Sequence, residues 1–578
     1  KNIKPPTRLS FYPYTSTTSV SYNGKSESSW SAGLDVKYGI TENFTLDATL
    51  IPDFGQTAFD NVTLNLGPFE QRFSEQRQFF TEGTELFTKG RLFYSRRIGS
   101  SPISSPTVGL DETLLENPGK VKMLNAIKVS GRTKKGLGIG FFNAITGKTE
   151  ARIQNNTTKD IRKETTNPVS NYNILVLDQQ FNQNSSVTLI NTNVTRVGDF
   201  RDANATGLLW HLEDKKSKYN IDGSFKITKI SDDINNPNTG KTFDLSVGKQ
   251  SGKWRGEIGY NFEDKYYNPN DLGILFSNNE QGIYGFSGYR LLKPKGVFNS
   301  YGINLFYNVN FLHTPGTYTG TDVRLGFWSN TKGRNSFGGN LNYSTVSKDF
   351  NEPRQGNTSG IFFEKPMRLN VNQWGQTDRT KKLALRYFME YSYYKNNPKK
   401  GYGINLTPSY RFSNQFSMQY SFGFNKTTNE QGYVTKNGAD IIFGQRDRSS
   451  YNNSISSKYN FSTKSSLSLS FRHNWSKVPY ESLFLRLNTS NGLLESSNYT
   501  GNHDVNFNNW NLDVNYIWEF APGSQLIAFY RHSIFGYNDQ ARLNFFDNLN
   551  KLFEEPNQHT FSLRMVYFID YNKLKNIF

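Results

Sequence analysis

The sequence predicts an all-β protein, a large antiparallel transmembrane β-barrel of about 24 strands (roughly 22 to 26) formed by a single chain. Three observations support this fold class. Segments of about 10 to 15 residues alternate apolar and polar side chains along the chain. The composition is rich in Phe (46) and Tyr (33), although only 35% of the 578 residues are hydrophobic. Short and long connections between the segments also alternate, as they do in barrels.

The N-terminal segments show the strand pattern directly. In residues 32–38 the apolar side chains alternate with Asp35 and Lys37, and residues 44–50 repeat this alternation around Asp47. A period of two is the period of a β-strand. The polar face of these strands has to meet water, either in a lumen or on the outside of a sandwich.

The C-terminal segments 512–520 and 561–571 have the same period and are predicted to be strands. Aromatic residues near strand ends suit the interface between membrane and water. A soluble β-sandwich would show the same period, so the number of strands and these aromatic ends favour the barrel. The aromatic residues in question are Trp518, Phe520, Tyr567 and Tyr571.

The connections supply an independent test of a closed barrel. Eleven short turns alternate with longer loops, which predicts an even number of strands and returns the C-terminus to its starting side. The first hairpin, at 23–26, is short where a long loop is expected, and the segments 433–447 and 485–498 are ambiguous. The long loops are predicted at 147–170, 265–281, 348–365, 480–506 and 536–560. The short turns are predicted at 39–43, 131–136, 181–185, 213–219, 250–254, 292–297, 330–335, 376–382, 413–416, 462–465 and 521–524.

One segment departs from the strand pattern. Residues 51–120 are charged and rich in Phe, and the alternation of turns places them between predicted strands 3 and 4, leaving the barrel on the extracellular side. A barrel of about 22 strands has a lumen wide enough to hold a plug. We therefore expect the insertion 51–120 to fold partly into the lumen of a barrel that spans residues 1–578.

This region also carries a family resemblance. Residues 38–56, the Phe-Glu pair at 69–70, the Phe-Phe-Thr-Glu-Gly motif at 79–83, Leu-Phe at 86–87 and Phe-Tyr-Ser-Arg-Arg-Ile-Gly at 93–99 resemble an uncharacterised family of Bacteroidota-type outer-membrane β-barrels. The resemblance implies a barrel fold and a bacterial outer-membrane location. It also implies that a module similar to family-nine carbohydrate-binding domains often precedes the barrel in the family.

The resemblance extends over residues 9–99 and recurs at 518–524, so it covers the chain in outline. Gln76 and Gln78 depart from the pattern, because Lys and Pro are common at these positions. The departures concern the local turn geometry. The family has no established activity that could be transferred to residues of this sequence.

The charged and aromatic residues of the insertion are the candidate functional residues. Carboxylates at short spacing could serve acid/base chemistry or a metal, but alternating charges among Phe side chains favour an ion-pair network that ties a small core to the barrel wall. The three arginines Arg91, Arg96 and Arg97 could grip anions such as phosphorylated sugars, or they could equally pair with wall carboxylates. The candidates for the lumen and plug are Phe69, Glu70, Arg72, Glu75, Arg77, Phe79, Phe80, Glu82, Glu85, Phe87, Arg91, Arg96 and Arg97.

Other functional classes find little support in the sequence. The six His residues are dispersed and there is no Cys, so we expect no catalytic residue, no cofactor and no metal site. The loops 231–236 and 268–272 could hold calcium, but exposed turns use the same residues. The formal charge of +18 is scattered over the chain without a nucleic-acid-binding motif, so nucleic acid is not an expected partner.

The sequence constrains the function of the protein less than its location in the outer membrane. Our leading expectation is a partly plugged channel or binding and transport barrel for a solute, in contact with outer-membrane lipid and lipopolysaccharide. The alternative is a structural subunit of an envelope complex for protein secretion, barrel assembly or surface-lipoprotein export. A third candidate is a TonB-dependent transporter, which would carry a large plug domain ahead of the first strand; an upstream segment could supply one.

Overall fold

A computed structural model of the chain describes residues 6–52, 60–231 and 238–575. Twenty-four antiparallel strands form a ring that closes between its first and last strands, which confirms the predicted fold class. The strands of the ring are β1 (Arg8–Tyr22), β2 (Lys25–Gly39), β3 (Phe44–Leu50), β4 (Met123–Arg132), β5 (Leu137–Thr146), β6 (Ser170–Phe181), β7 (Ser185–Arg196), β8 (Asp202–Glu213), β9 (Tyr219–Ser231), β10 (Asn238–Lys249), β11 (Trp254–Glu263), β12 (Glu280–Leu291), β13 (Phe298–Leu312), β14 (Tyr318–Thr331), β15 (Ser336–Ser344), β16 (Arg368–Gln376), β17 (Leu383–Tyr394), β18 (Lys400–Arg411), β19 (Phe416–Asn437), β20 (Asp440–Asn460), β21 (Ser465–Val478), β22 (Val505–Ala521), β23 (Ser524–Asn538) and β24 (Asn557–Val566).

The eleven predicted short turns all join neighbouring strands at one end of the ring, which we call the short-turn end. The first ring strand, β1, begins at this end and the last, β24, finishes there. The opposite, long-loop end carries the predicted long loops. Among the described ring strands, closure leaves none at the edge of a sheet, as a barrel in a membrane requires.

Several short elements extend the long-loop end. Part of the insertion, Glu112–Glu116, joins Thr149–Asn155 and Ile161–Asn167 in a three-stranded sheet. Ser347–Asp349 pairs with Phe363–Lys365. Tyr480–Leu487 pairs with β20, and Leu494–Ser496 adds to it.

The helices in the described part of the chain are short, and none is both long and apolar enough to cross a membrane. Two are α-helices and three are 3-10 turns. They are α1 (Phe545–Leu552), α2 (Tyr571–Lys575) and the 3-10 turns Gln78–Phe80, Lys89–Arg91 and Ser95–Arg97.

The two ambiguous segments add no strand to the ring. Residues 433–447 form the top of the β19–β20 hairpin, whose strands have 22 and 21 residues. Residues 485–498 belong to the extension that pairs with the upper half of β20. The ring therefore keeps its even number of strands although this hairpin has a two-residue turn at the long-loop end.

The last predicted strand is shorter than expected. We predicted a strand over 561–571, but β24 ends at Val566 and Tyr571 begins helix α2. The reason lies in the neighbouring strand, where Pro13 has no N–H to donate. Regular pairing with β1 stops at Val566 and resumes only at Ile569, while the Pro13 carbonyl accepts from the Tyr567 N–H.

The outer surface of the ring is apolar. On β6, Leu175 and Leu177 are exposed, whereas Ile174 and Val176 on the opposite face are buried. Exposed aliphatic and aromatic side chains continue around the ring in the same alternation. Closed barrels with an apolar outer band are the β-structures that span a lipid bilayer. The protein is thus a bacterial outer-membrane β-barrel.

Candidate functional site

The lumen contains a segment of the chain between β3 and β4. We call residues 60–100 the inner segment. It contacts the ring at β4–β8 and, across the lumen, at β20–β22, which only a segment inside the ring can do. Residues 53–59 of the predicted insertion lie outside the described residues. The long-loop sheet takes up Glu112–Glu116, so that part of 51–120 does not enter the lumen.

An apolar core joins the inner segment to the wall at β4–β8. Phe87, Leu92 and Ile98 are almost completely buried, and they pack in one cluster with Phe142 on β5 and Ile174 on β6. The ring centroids of Phe87 and Phe142 are 6.1 Å apart. Burying side chains of this size contributes about 2 kcal/mol each relative to water. The packing therefore fixes the segment to this wall.

Charged contacts reinforce this side of the lumen. Glu82 pairs with Lys37 on β2, and the Lys128 ammonium donates to the Phe79 carbonyl oxygen at 2.6 Å. Lys89 of the inner segment pairs with Asp178 on β6, which is fully buried and also pairs with Arg132 on β4. These contacts lie towards the short-turn end of β2, β4 and β6, so the segment extends deep into the lumen.

A second set of ion pairs holds the inner segment to itself. The Arg77 guanidinium donates to both carboxylate oxygens of Glu75, at 2.9 and 2.7 Å, and to the carbonyl oxygens of Ser95 and Ile98. The Ser95 hydroxyl donates to Glu75 at 2.6 Å. Burial acts to raise the pKa of Glu75, but the bonds and charge of Arg77, with the Ser95 bond, outweigh it and hold that pKa below its usual value.

The structure gives partners to two of the three arginines proposed to grip anions. Arg96 pairs with Asp60, and Arg97 pairs with Glu70. Arg97 also donates to the Gly273 carbonyl oxygen at 3.0 Å. Arg91 forms no ion pair with any described residue.

The remaining candidates take different positions. The Arg72 guanidinium lies 5.9 Å from the centroid of the Tyr94 ring. Phe69 contacts Phe276 of the β11–β12 loop, with ring centroids 5.8 Å apart. The side chain of Glu85 is exposed. Of the predicted carboxylates, only Glu82 is paired with a wall residue; Glu70 and Glu75 are paired within the segment.

The inner segment also touches the wall at β20–β22. The Asn474 side-chain amide donates to Asn61 Oδ1 at 2.7 Å. Leu64 and Leu66 pack against a small cluster that includes Val478 and Phe507. This contact is confined to the long-loop end of the wall, because Val478 ends β21 and Phe507 is near the start of β22.

Below this contact the wall at β16–β21 is open to the lumen. We call it the free wall. A cavity of about 740 Å³ lies at its short-turn end, lined by inward side chains that include Arg386, Lys458 and Arg472. A second cavity of about 840 Å³ lies at the long-loop end and is lined by charges of both signs, among them Glu280 and Lys399.

A third cavity of about 460 Å³ is lined by Thr63 and Leu64 of the inner segment and by the free wall at Glu390, Asn425 and Ser476. On strands β17–β21 its lining residues lie nearer the long-loop end than those of the 740 Å³ cavity. Cavities therefore follow one another along the same polar wall from end to end.

The histidines and the loop at 268–272 make ordinary side-chain contacts. His532 and His559 are 27 positions apart in the sequence, yet the β23–β24 register stacks their rings with centroids 4.3 Å apart. In the described part of the chain no group of three potential ligands could hold a metal ion. Asp271 of the 268–272 loop is paired with Arg196 at 2.8 Å. Most of the 231–236 loop lies outside the described residues.

The sequence did not single out the cations of the free wall. Arg386, Lys458 and Arg472 lie on three different strands, and only the pairing of the five neighbouring strands β17–β21 brings them into one cavity. The available signal was the period-two row of Ser, Thr, Gln and Asn around them. In a single strand that row indicates no more than a wet face.

Comparison with solved structures finds outer-membrane proteins. The chain is similar to the FrpB iron transporter from Neisseria meningitidis (F3-3 variant), with 10% identity, a TM-score of 0.40, and coverage of 96% of this chain and 81% of that one. It is also similar to BauA, the ferric preacinetobactin receptor from Acinetobacter baumannii (8%, TM-score 0.37, 96% and 80%), and to the copper transporter OprC (8%, 0.38, 96% and 80%).

No curated protein matches the sequence significantly. Residues 5–578 match the family described as domain of unknown function DUF5916, and the chain belongs to that family.

Proposed function

We propose that this barrel binds and passes a polar solute across the outer membrane, along the free wall. The observation that carries the proposal is the succession of cavities between the inner segment and β16–β21. Their linings are rich in hydroxyl, amide and charged side chains, which can replace the water around a polar solute. The apolar outer surface faces lipid and offers no such path.

The inner segment acts as a partial plug in this proposal. Its apolar core and ion pairs fix it to β4–β8, so in the short-turn half of the lumen it narrows the path from this side. Its second contact, at Asn474 and Val478, lies at the long-loop end of the free wall and restricts entry from outside. Loosening the segment would widen the path without disturbing the ring.

Liposome swelling and single-channel recording test the proposal. The purified protein and a variant lacking residues 69–87 are reconstituted, and swelling is measured in an isosmotic neutral sugar such as glucose. We expect a low conductance for the complete protein and a larger one for the deletion variant. If the deletion variant neither swells nor conducts, while its heat-modifiable gel migration shows a folded barrel, the transport proposal fails.

A second function is favoured by the outer wall. Helix α1 folds over the outward side of β20–β22, where Phe545 packs against Trp475 and the Asn548 side chain bonds to Asn508. Phe546 on this helix is 73% exposed and Phe553 is 51% exposed. Such aromatic residues could seat another envelope protein, which would make the barrel a subunit of a secretion, assembly or lipoprotein-export complex.

Native gels after gentle detergent extraction separate the two functions, because a lone barrel speaks against the subunit role. A family-nine-like module ahead of the barrel, a Bacteroidota source and a TonB-dependent mechanism remain predictions of the sequence. Detection of the full-length gene product and its N-terminal region in cells would test the first of these directly.

A further inference from the structure

We propose that the solute is an organic anion, and that the 740 Å³ cavity at the short-turn end of the free wall is its binding site. The inference rests on the proposed transport function and names its substrate class. Arg386 on β17, Lys458 on β20 and Arg472 on β21 line the cavity. Cations of the nearby turns, including Arg379 and Lys382, surround its opening.

The strand register directs these side chains into the lumen. Leu385 and Met389 on β17 are exposed on the lipid-facing side, so Arg386, between them in the alternation, faces inward. Lys458 is directly opposite Ser417 on β19 and Ser468 on β21, both of which line the same cavity. The cations therefore share one water-filled space and not three separate surfaces.

The balance of charge around the cavity is strongly positive. Asp513 is the one carboxylate among its described lining residues, and both oxygens of Asp513 already accept from Arg531, at 2.6 and 2.9 Å. Arg472 approaches the same carboxylate at 3.3 Å. Within the described ranges no carboxylate lies at ion-pair distance from Arg386 or Lys458.

On the opposite wall, two lumen cations at a comparable depth are paired with carboxylates. Arg132 and Lys128 face the inner segment near the same end of the lumen, and both have carboxylate partners, Asp178 and Asp47. The free wall thus carries cations whose counter-charge has to come from solution. A solute with a negative group supplies it.

The chemistry of the lining defines the anion further. An Arg guanidinium binds carboxylate or phosphate through two parallel hydrogen bonds, and a Lys ammonium adds a compact positive charge. Ser456, Ser470 and Gln419 line the same cavity and can bond to hydroxyl groups. We therefore infer a hydroxylated carboxylate or phosphate, such as a sugar acid, as the solute class.

The test is the gluconate-to-potassium permeability ratio of the reconstituted barrel. The reversal potential is measured in a tenfold gradient of potassium gluconate, for the complete protein and for the variant lacking residues 69–87. We expect a ratio above about 3, because a lumen lined by one sign of charge concentrates the opposite ion. The variant R386Q/K458Q should lower the ratio at least about threefold.

Two controls accompany this variant. K134Q/K135Q removes the same charge from the exposed β4–β5 turn at the same end of the barrel, outside the cavity lining, and should leave the ratio unchanged. R386K/K458R keeps the charge and should restore the ratio.

Glucose swelling is recorded in parallel. Swelling with a ratio that is near one, or that R386Q/K458Q leaves unaltered, overturns the anion site and leaves transport standing. Absence of both swelling and conductance overturns transport itself.

Discussion

The wall at β4–β8 and the free wall at β16–β21 are built on the same strand geometry but differ in what their inward side chains contact. On the first wall, Phe142, Ile174 and Ile190 face inward and are buried under the inner segment. On the second, Thr407, Ser456 and other hydroxyl-bearing residues line open cavities. In both cases the outward residues face lipid, so the two walls differ on one side only.

The two walls also differ in whether their charged side chains are paired. At the first wall, Lys89 and Arg132 both pair with the buried Asp178. Arg386 and Lys458 have no carboxylate partner among the described residues. One wall of the barrel therefore holds the inner segment, and the other is left open to water and solute. Three changes test this difference between the walls.

The largest effect is expected from Phe87→Ala. Phe87 is 1% exposed and packs on Phe142, so its truncation removes a large buried contact at the centre of the attachment. Such a change costs about 3 to 5 kcal/mol. Hydrogen exchange of the amides in residues 86–98 should accelerate by at least about a hundredfold, and conductance should rise.

The matched control is Phe546→Ala, because Phe546 is 73% exposed on helix α1 outside the lumen. This change should alter the free energy of unfolding by less than about 0.5 kcal/mol. If Phe87→Ala and Phe546→Ala give the same exchange rates in residues 86–98, the inner segment is not held by its apolar core.

A smaller effect is expected from Asp178→Asn, which removes the charge that Lys89 and Arg132 share. Asp178 is fully buried, whereas the two cations remain about a quarter exposed. Their partial access to water moderates the loss, which we put at about 2 to 3 kcal/mol. Faster exchange should start at residues 87–91. Glu42→Gln, in an exposed turn, serves as the control, and equal exchange in both variants would contradict the role of this pair.

The smallest effect is a loosening of the inner segment in acid. The folded protein holds the pKa of Glu75 below its usual value of 4.5, so Glu75 stabilises the segment fully above that value. This stabilisation is lost as the pH falls through the lowered pKa. Conductance should therefore rise below about pH 4.5. Glu75→Gln should conduct more at neutral pH and lose this step; an unchanged step in the variant would assign it to another group.

Much of the ring could be read from the sequence because a strand in a membrane has to satisfy two local rules. Its side chains alternate, and its turns at one end are short, as at 39–43 and 521–524. The end of β24 does not follow from these rules, since the interruption comes from Pro13, more than five hundred residues away in the sequence. The β19–β20 hairpin was ambiguous in the sequence because its strands continue past the ring.

The candidate site, too, could be predicted from the sequence only in part. The sequence marked Phe79, Phe80, Phe87 and their charged neighbours because they break the alternation. It could not say that Glu75 bonds to Arg77 while Glu82 reaches Lys37, since the choice among carboxylates depends on distances in the folded chain. It also left Arg386 and Lys458 unnoticed.

The sequence alone predicts the class of fold, the number of strands to within about two and the segment that differs from them, because each of these follows from local periodicity and composition. Which wall the inner segment covers, and which it leaves open, is seen only in the folded structure. Every second residue of every strand faces the lumen, and the sequence of one strand does not show what such a residue will contact. The role of an inward residue depends on the residue that it contacts in the lumen, and these two residues come together only when the ring closes.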